Sequence, residues 1–265
     1  MLELTAYEGK KRGKGAAALA VLFAVLATMY TGTFPSVVEG MPPGTFDEMV
    51  SSYPAAMVEA LNLQSLTTIE GYLASQLYTV GWILLAGLYF GYAGAGLIAD
   101  DVDRGRMDIL MFLPVSRARL VAEKFASLLV PLVAINVITP LVVYVSAEVV
   151  GYPVNALDVA MLHLLSVPYL LCCAAIGLVF SVLVDRASIA QRGALGVLFG
   201  LFLLESVVIG TDFEVVGNLA PMHYLDPTAI LLNGEYDPVA AGILLAATIV
   251  LVVASQAWFT RKDIA

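Results

Sequence analysis

Leu77 to Ala99 reads LYTVGWILLAGLYFGYAGAGLIA, a run of 23 residues without a charged side chain. Spanning the hydrocarbon core of a bilayer takes about 20 mostly apolar residues, because each backbone amide there must be hydrogen-bonded inside its own helix. The run is therefore predicted to be a transmembrane helix. The whole chain has the composition of a membrane protein, since 60% of its 265 residues are hydrophobic and only 13% are charged.

Five other stretches have the length and apolar character of a membrane span. They run from Gly15 to Phe34, Phe125 to Ala147, Val159 to Val184, Gly193 to Ile209 and Val239 to Phe259. The stretch beginning at Gly193 is the weakest candidate, because it is short and has Glu205 near its far end. Together the six predict an all-α integral membrane protein with six transmembrane helices in a single domain over residues 1–265.

Charge placement supports six spans and orients them. With six spans, all 13 Lys and Arg residues fall on one face of the membrane, which the positive-inside rule assigns to the cytoplasm. Both termini are then cytoplasmic, whereas five spans would leave Arg261 and Lys262 outside. The outer face carries 13 acidic residues and no basic one. Such a surface suits high salt, where ions screen the repulsion, and indicates a halophilic source; acidic loops without that meaning are the alternative.

Polar side chains within the predicted spans are candidates for a translocation path. The candidates are Gln76, Asn136, His163 and Glu205. For Asn136 and His163 the alternative is hydrogen bonding that holds neighbouring helices together. Two pairs of glycines, Gly87 with Gly91 and Gly196 with Gly200, have the spacing that lets helix backbones approach closely. The spacing predicts packing within the chain or against a second copy.

The segment between the second and third spans, DDVDRGRMDILMFLPVSRARLVAEK from Asp100 to Lys124, is predicted to hold a short helix. Its apolar residues Met107, Leu110, Met111 and Pro114 recur at intervals of three and four, which places them along one side of a helix. Pro114 ends that helix, and Ser116 can cap a new helix that runs through Lys124 into the third span. Membrane headgroups, the chain's own helix ends or a soluble partner can each cover the apolar side.

The same segment resembles a known signature. Residues Gly105 to Arg117, written Gly-x-x-Asp-x-Leu-x-x-x-Pro-x-Ser-Arg and followed by Lys124, are similar to the cytoplasmic motif of ABC-2 type transporter permeases. The resemblance extends to the six-span layout, to Glu8 and the basic residues 10–12 near the start, and to residues 259–263 at the end. The sequence departs from the motif at Arg106, where the family usually has Thr.

The resemblance implies the non-catalytic membrane subunit of an ATP-binding cassette exporter in the plasma membrane. It implies a homodimer or heterodimer of permeases, and a separate ATPase subunit that binds ATP and Mg²⁺, with no nucleic-acid partner and no cofactor, metal or catalytic residue in this chain. A phosphate-binding Gly-x-x-x-x-Gly-Lys-Ser/Thr motif is absent from the sequence. The residues that the resemblance places at the ATPase contact are Asp103, Arg104, Gly105, Asp108, Leu110, Pro114 and Arg117.

Two other classes of function compete with this interpretation. Asp100, Asp101 and Asp103 lie at a membrane edge, where carboxylates can hold Mg²⁺ and a diphosphate, so a lipid-phosphate-processing enzyme is one alternative. Such an enzyme needs a second acidic cluster, and the sequence offers none. Neutralisation of these carboxylates by Arg104 and Arg106 is the simpler explanation. The other class is a structural membrane subunit without a transport path.

Overall fold

A computed structural model describes residues 3–40, 50–54, 58, 67–107 and 116–262. Among these residues there are helices and turns and no strand. Six of the helical segments are long and apolar enough to cross a membrane. This confirms the all-α fold and all six predicted spans, including the short one that contains Glu205.

The described structure includes eight helices that are numbered here in chain order. They are α1 (Glu3–Glu39), α2 (Ile69–Asp103), α3 (Arg117–Ala126), α4 (Leu129–Val150), α5 (Ala156–Leu183), α6 (Ala187–Val208), α7 (Pro227–Asn233) and α8 (Pro238–Arg261). Two short 3₁₀ helices, Glu214–Leu219 and Pro221–Tyr224, precede α7. The third span consists of α3 followed by α4, and the others are α1, α2, α5, α6 and α8.

The third span is capped as predicted but is interrupted. The Ser116 hydroxyl accepts a hydrogen bond from the Arg119 amide at 3.3 Å, which confirms Ser116 as the cap of α3. The helix does not continue unbroken into the third span, because a turn at residues 127–128 separates α3 from α4. Pro131 accounts for the break, since its ring lacks an amide hydrogen and clashes with the carbonyl four residues earlier.

Helices α2 and α5 pack with their backbones almost in contact. A Cβ on Gly94 would lie 2.1 Å from the Ala174 carbonyl oxygen, and one on Gly177 would lie 2.0 Å from that of Gly91. Only glycine fits at such distances. The glycines of α2 therefore pack within the chain, whereas a Cβ on Gly196 or Gly200 of α6 would meet nothing within 4 Å.

The middle of the bundle is aromatic. Residues Ala74–Ala86 of α2 form a π-helix, and Trp82 from this segment contacts the rings of Phe23 on α1 and His163 on α5 at centroid distances of 5.0 and 4.4 Å. Trp82 is fully buried. The two rings on either side of Trp82 tie the first, second and fourth spans into one core.

The two ends of the bundle differ in charge. Lys124 of α3 binds Glu8 near the start of α1, and Arg117 of the same helix binds the Lys262 carbonyl after α8, so both chain ends lie at the same end of the bundle. We call it the basic end, because the Lys and Arg residues all occur near the helix termini that meet there. The opposite acidic end carries Asp158, Glu205, α7 and the 3₁₀ helices.

Candidate functional site

The loop that carries the signature begins at a tightly closed helix end. Gly105 has a φ of 63°, a left-handed conformation that glycine adopts without a steric cost. Its amide bonds to the Val102 carbonyl at 3.0 Å, and the Arg106 amide bonds to the Asp101 carbonyl at 2.8 Å. These two hydrogen bonds form a Schellman motif. The signature glycine is thus explained locally, because it allows the chain to turn sharply out of α2.

The Arg106 side chain folds back onto the helix it has just left. Its guanidinium lies 2.7 Å from one carboxylate oxygen of Asp101, and the other oxygen accepts a short hydrogen bond from the Lys124 ammonium. Lys124 also lies 3.2 Å from the Glu8 carboxylate. Two cations and two carboxylates thus join α1, α2 and α3 directly beneath the start of the loop.

Three residues of this four-residue cluster are largely shielded from water, and Arg106 lies at its edge with 39% of its side chain exposed. Side-chain exposure is 4% for Lys124, 7% for Asp101 and 11% for Glu8. Desolvating charges costs several kcal/mol per ion unless each one keeps a well-placed partner. The balanced pairing meets that condition, and loss of one member would leave an uncompensated charge in the interior.

The far end of the loop is held by a different set of contacts. Arg117, the first residue of α3, donates hydrogen bonds to the carbonyl oxygens of Lys262 at 2.6 Å and Phe259 at 3.4 Å. Its guanidinium also lies 5.9 Å from the centre of the Phe259 ring. The last carbonyls of a helix lack partners within the helix, so a cation there satisfies them and favours the negative end of the helix dipole.

Lys262 extends this set of contacts to α5. Its ammonium donates to the Val182 carbonyl at 2.9 Å and lies 2.6 Å from the Asp185 carboxylate. Six residues earlier, in α8, the Gln256 side chain donates to the Ala118 carbonyl of α3 at 3.1 Å. The end of the loop is therefore fastened to the termini of α5 and α8.

The predicted ATPase-contact residues divide into three groups. Asp103, Arg104 and Gly105 are exposed at the basic end, and Asp103 also accepts a hydrogen bond from the Ala187 amide at 3.3 Å. Arg117 is turned inward onto the end of α8. Asp108, Leu110 and Pro114 lie outside the described residues. Met107, which begins the predicted apolar side, is buried at 1% exposure.

Sequence reasoning did not find the roles of Glu8, Asp101, Lys124 and Lys262. Glu8 and Lys124 were noted as parts of the resemblance, and Asp101 as part of a possible metal site. The available signal was the position of each charged residue at the edge of an apolar run, where an unpaired charge is costly. That signal indicates a partner without identifying it.

The four candidate path residues do not form one site. Ser166 brings Asn136 and His163 together. Its hydroxyl lies 3.2 Å from the side-chain amide oxygen of Asn136 and 2.8 Å from the backbone carbonyl oxygen of His163. His163 also pairs with the Tyr78 hydroxyl at 3.2 Å. These hydrogen bonds link α2, α4 and α5, as the helix-bonding alternative expects. Gln76 interacts with its neighbour Ser75 at 3.4 Å.

Glu205 belongs to the acidic end. Its carboxylate lies 2.7 Å from Nδ1 of His223, which follows on the second 3₁₀ helix. Nearby, the Tyr236 hydroxyl donates to the Asp158 carboxylate at 2.5 Å, and this hydrogen bond raises the pKa of Tyr236. Both contacts fasten the connecting segments of the acidic end to the ends of α5 and α6.

The three aspartates at the end of α2 do not face a common point. Asp101 is engaged by Lys124 and Arg106, while Asp103 faces the start of α6. In the part of the chain that the structure describes, no group of three or more His, Cys, Asp or Glu side chains could hold a metal ion. The lipid-phosphate enzyme therefore gains no support, and the pairing of Arg106 with Asp101 agrees with neutralisation.

Six spans, a basic end and a loop braced at both ends define a multi-pass membrane protein whose best-organised polar site is structural. Residues 11–264 match the family described as ABC-2 family transporter protein, and the chain belongs to this family. It is accordingly the non-catalytic permease subunit of an ATP-binding cassette transporter and a multi-pass protein of the plasma membrane. No curated protein matches the chain.

Proposed function

We propose that the chain is the membrane half of an exporter, driven by a separate ATPase subunit that docks on the loop between Arg104 and Ser116. The observation that carries the proposal is the bracing of this loop. Its start is bound to α1 and α3 through Asp101, and its end is bound to α8 through Arg117. A loop held in this way transmits a push to helices that it does not join in sequence.

The charged groups of the basic end suit this role. Asp103, Arg104 and Gly105 are exposed beside the loop and offer polar groups to a soluble partner, while the buried ion pairs lie one layer deeper. Closure of the ATPase on ATP would press the loop toward the bilayer, and the ion pairs would pass that movement to the helices. In this scheme the basic end faces the cytoplasm, as the positive-inside rule expects.

The remaining parts of the proposal come from the family resemblance. Two permease copies would assemble with two ATPase subunits, and ATP and Mg²⁺ would bind only to the ATPase. Export is the direction that the resemblance implies. The chain's acidic outer face and the halophilic source that it suggests stay predictions from charge.

The proposal is tested by isolating the chain from its own cells in mild detergent and identifying what co-purifies. We expect an ATPase subunit, and we expect Asp108→Ala or Arg104→Ala to lower permease-dependent ATP hydrolysis by about tenfold, in line with typical coupling energies. Lys11→Ala is the matched control, because Lys11 is exposed at the basic end outside the loop. Absence of an ATPase subunit, or full hydrolysis in both loop variants, would contradict the proposal.

A further inference from the structure

We infer that α3 is a rigid crossbar that carries the movement of the loop to the first and last spans, with Arg117 and Lys124 as the positioning residues at its two ends. The inference rests on the proposed function, because it concerns how a push on the loop is distributed. In sequence the loop joins only α2 to the third span. The contacts of α3 extend its reach to α1 and α8.

The first end of the crossbar is bound to α8. Arg117 holds the carbonyl oxygens of Phe259 and Lys262, and Gln256 of α8 holds the carbonyl of Ala118. These hydrogen bonds run in both directions between two successive residues of α3 and the last two turns of α8. A displacement of the start of α3 therefore displaces the end of α8.

The other end of the crossbar is bound to α1. The Thr5 hydroxyl donates to the Glu123 carbonyl at 3.2 Å, the Lys124 ammonium binds Glu8, and the Arg12 guanidinium donates to the Ser127 hydroxyl at 2.9 Å. The three residues of α1 follow one another at intervals of three and four, so they share one face of that helix. This face lies along the end of α3.

Between its two ends, α3 is packed and is separated from α4. Leu120 and Val121, at its centre, are buried at 2% and 0% exposure. At residues 127–128, just before Pro131, the backbone hydrogen bonds tighten into a turn, with the Leu128 amide bonded to the Phe125 carbonyl at 3.0 Å and the Val130 amide to the Ser127 carbonyl at 3.4 Å. A push on α3 is therefore passed sideways to α1 and α8 as well as along the chain into α4.

The packing of the spans indicates which helices can respond. Helices α2 and α5 are mostly buried and pack closely through Gly94 and Gly177, whereas the other four spans, α1 and α8 among them, are mostly exposed. Exposed helices move relative to a packed core at a lower cost. The crossbar thus connects the loop to two of the spans that lie outside the α2–α5 core.

Substitution of Arg117 gives the first test, in complexes reconstituted in lipid vesicles. Arg117→Met should still bind the ATPase subunit but should lower permease-dependent ATP hydrolysis about tenfold, the loss expected for a charge-assisted hydrogen bond. Arg117→Lys keeps a cation that can reach the carbonyl oxygens and should recover most of the rate. Arg186→Met is the control, because Arg186 is an exposed arginine at the same end. Equal rates for Arg117→Met and Arg186→Met would overturn the inference.

Chemical cross-linking gives a second test that does not depend on weakening the fold. Ala118→Cys and Gln256→Cys, joined by a short bis-maleimide, would fix α3 to α8 in a chain whose buried Cys172 and Cys173 are replaced by alanine. Because a crossbar moves with α8, the linked complex should hydrolyse ATP within about twofold of the unlinked one. A fall of more than about fivefold, the lower range of coupling energies, would overturn the inference.

A second link provides the contrast. Thr33 of α1 and Tyr72 of α2 are 3.2 Å apart through their hydroxyls at the acidic end, and joining cysteines there should slow hydrolysis more than about fivefold by preventing α1 from shifting. Unchanged hydrolysis with this link would also overturn the inference. If the wild-type chain binds no ATPase subunit, the proposed function fails instead. If that binding and the Asp108→Ala effect hold, an adverse cross-linking result rejects only the crossbar.

Discussion

At the basic end, the carboxylates of Glu8 and Asp101 bind a lysine on a third helix. At the acidic end, those of Asp226 and Asp237 bind the first backbone amides of their own helices at 2.8 to 3.1 Å. A capping carboxylate satisfies a local need and leaves neighbouring helices independent. A carboxylate paired across helices makes them move together. The same chemical group therefore caps single helices at one end and joins different helices at the other.

The acidic end has cross-links of its own, and they differ in what they join. Glu205 binds His223 and Asp158 binds Tyr236, both of which lie on connecting segments between spans. These contacts hold the connections in place. At the basic end, by contrast, Lys124 and Arg117 join spanning helices to one another.

The largest expected effect that sharpens this comparison is on stability. Asp101→Ala removes the shared partner of Lys124 and Arg106, and breaking a buried ion pair costs about 3–5 kcal/mol in unfolding free energy. Asp212→Ala at the acidic end is the control, because Asp212 is exposed and such substitutions change stability by about 0.5 kcal/mol or less. Thermal unfolding in detergent measures both variants. Similar unfolding temperatures for the two would refute a stabilising role for the buried ion pairs of Asp101.

Two glycines give the next test. Gly105 at the basic end and Gly234 after α7 both have left-handed backbones, with φ of 63° and 66°. Alanine at either position should cost about 1–2 kcal/mol. Only Gly105→Ala should also reduce permease-dependent ATP hydrolysis, because Gly105 begins the loop. Parallel measurements of unfolding and hydrolysis check this, and an equal loss of hydrolysis in Gly234→Ala would break the comparison.

Capping at the acidic end should have a smaller and purely local effect. Asp237→Ala removes the cap of α8, which costs about 1 kcal/mol. Asp237→Asn, which keeps an accepting oxygen, should be close to wild type. Thermal unfolding is the measurement, and ATP hydrolysis at permissive temperature should stay unchanged in both. A hydrolysis defect in Asp237→Ala would show that the acidic end transmits movement too.

The smallest expected effect lies at the basic end itself. Asp185 pairs with Lys262 but its side chain is 65% exposed, and pairs of this kind contribute a few tenths of a kcal/mol. Asp185→Ala should therefore leave unfolding nearly unchanged, since Lys262 keeps its hydrogen bond to the Val182 carbonyl. If Asp185→Ala lowered the unfolding temperature as much as Asp101→Ala in the same thermal assay, burial would not decide which ion pairs stabilise the fold.

Length and hydropathy were sufficient to predict the six spans, because a helix in hydrocarbon must satisfy its own amides and needs a fixed length. Ser116 was predictable for a similar local reason, since its hydroxyl serves an amide only three residues away. The weak fifth span was supported by the distribution of basic residues, which is a property of the whole chain and not of any one segment. The sequence was thus enough to predict features that depend on neighbouring residues or on the distribution of charge over the whole chain.

The partners of the charged side chains in the site could not be predicted from the sequence. Lys124 binds Glu8, which lies 116 positions earlier in the sequence, and Asp101, which lies 23 positions earlier. Nothing in the sequence distinguishes Asp101 from Asp100 or Asp103 as its acceptor. Arg117 binds backbone carbonyls, which every residue has and which leave no trace in a side-chain pattern. The resemblance predicts Arg117 at the ATPase contact, and the fold adds a role that the motif does not indicate, which is to hold the end of α8.

The hydrogen bonds of Arg117 also have a consequence for the timing of biosynthesis. Its acceptors lie 142 and 145 residues further along the chain, so they are synthesised long after Arg117 itself. Until the ribosome has produced the end of α8, the basic end lacks one of its two braces, even though the loop has already been made. In an unfinished chain the start of α3 is therefore not yet held to α8, and this end of the bundle is completed only after translation has passed the last span.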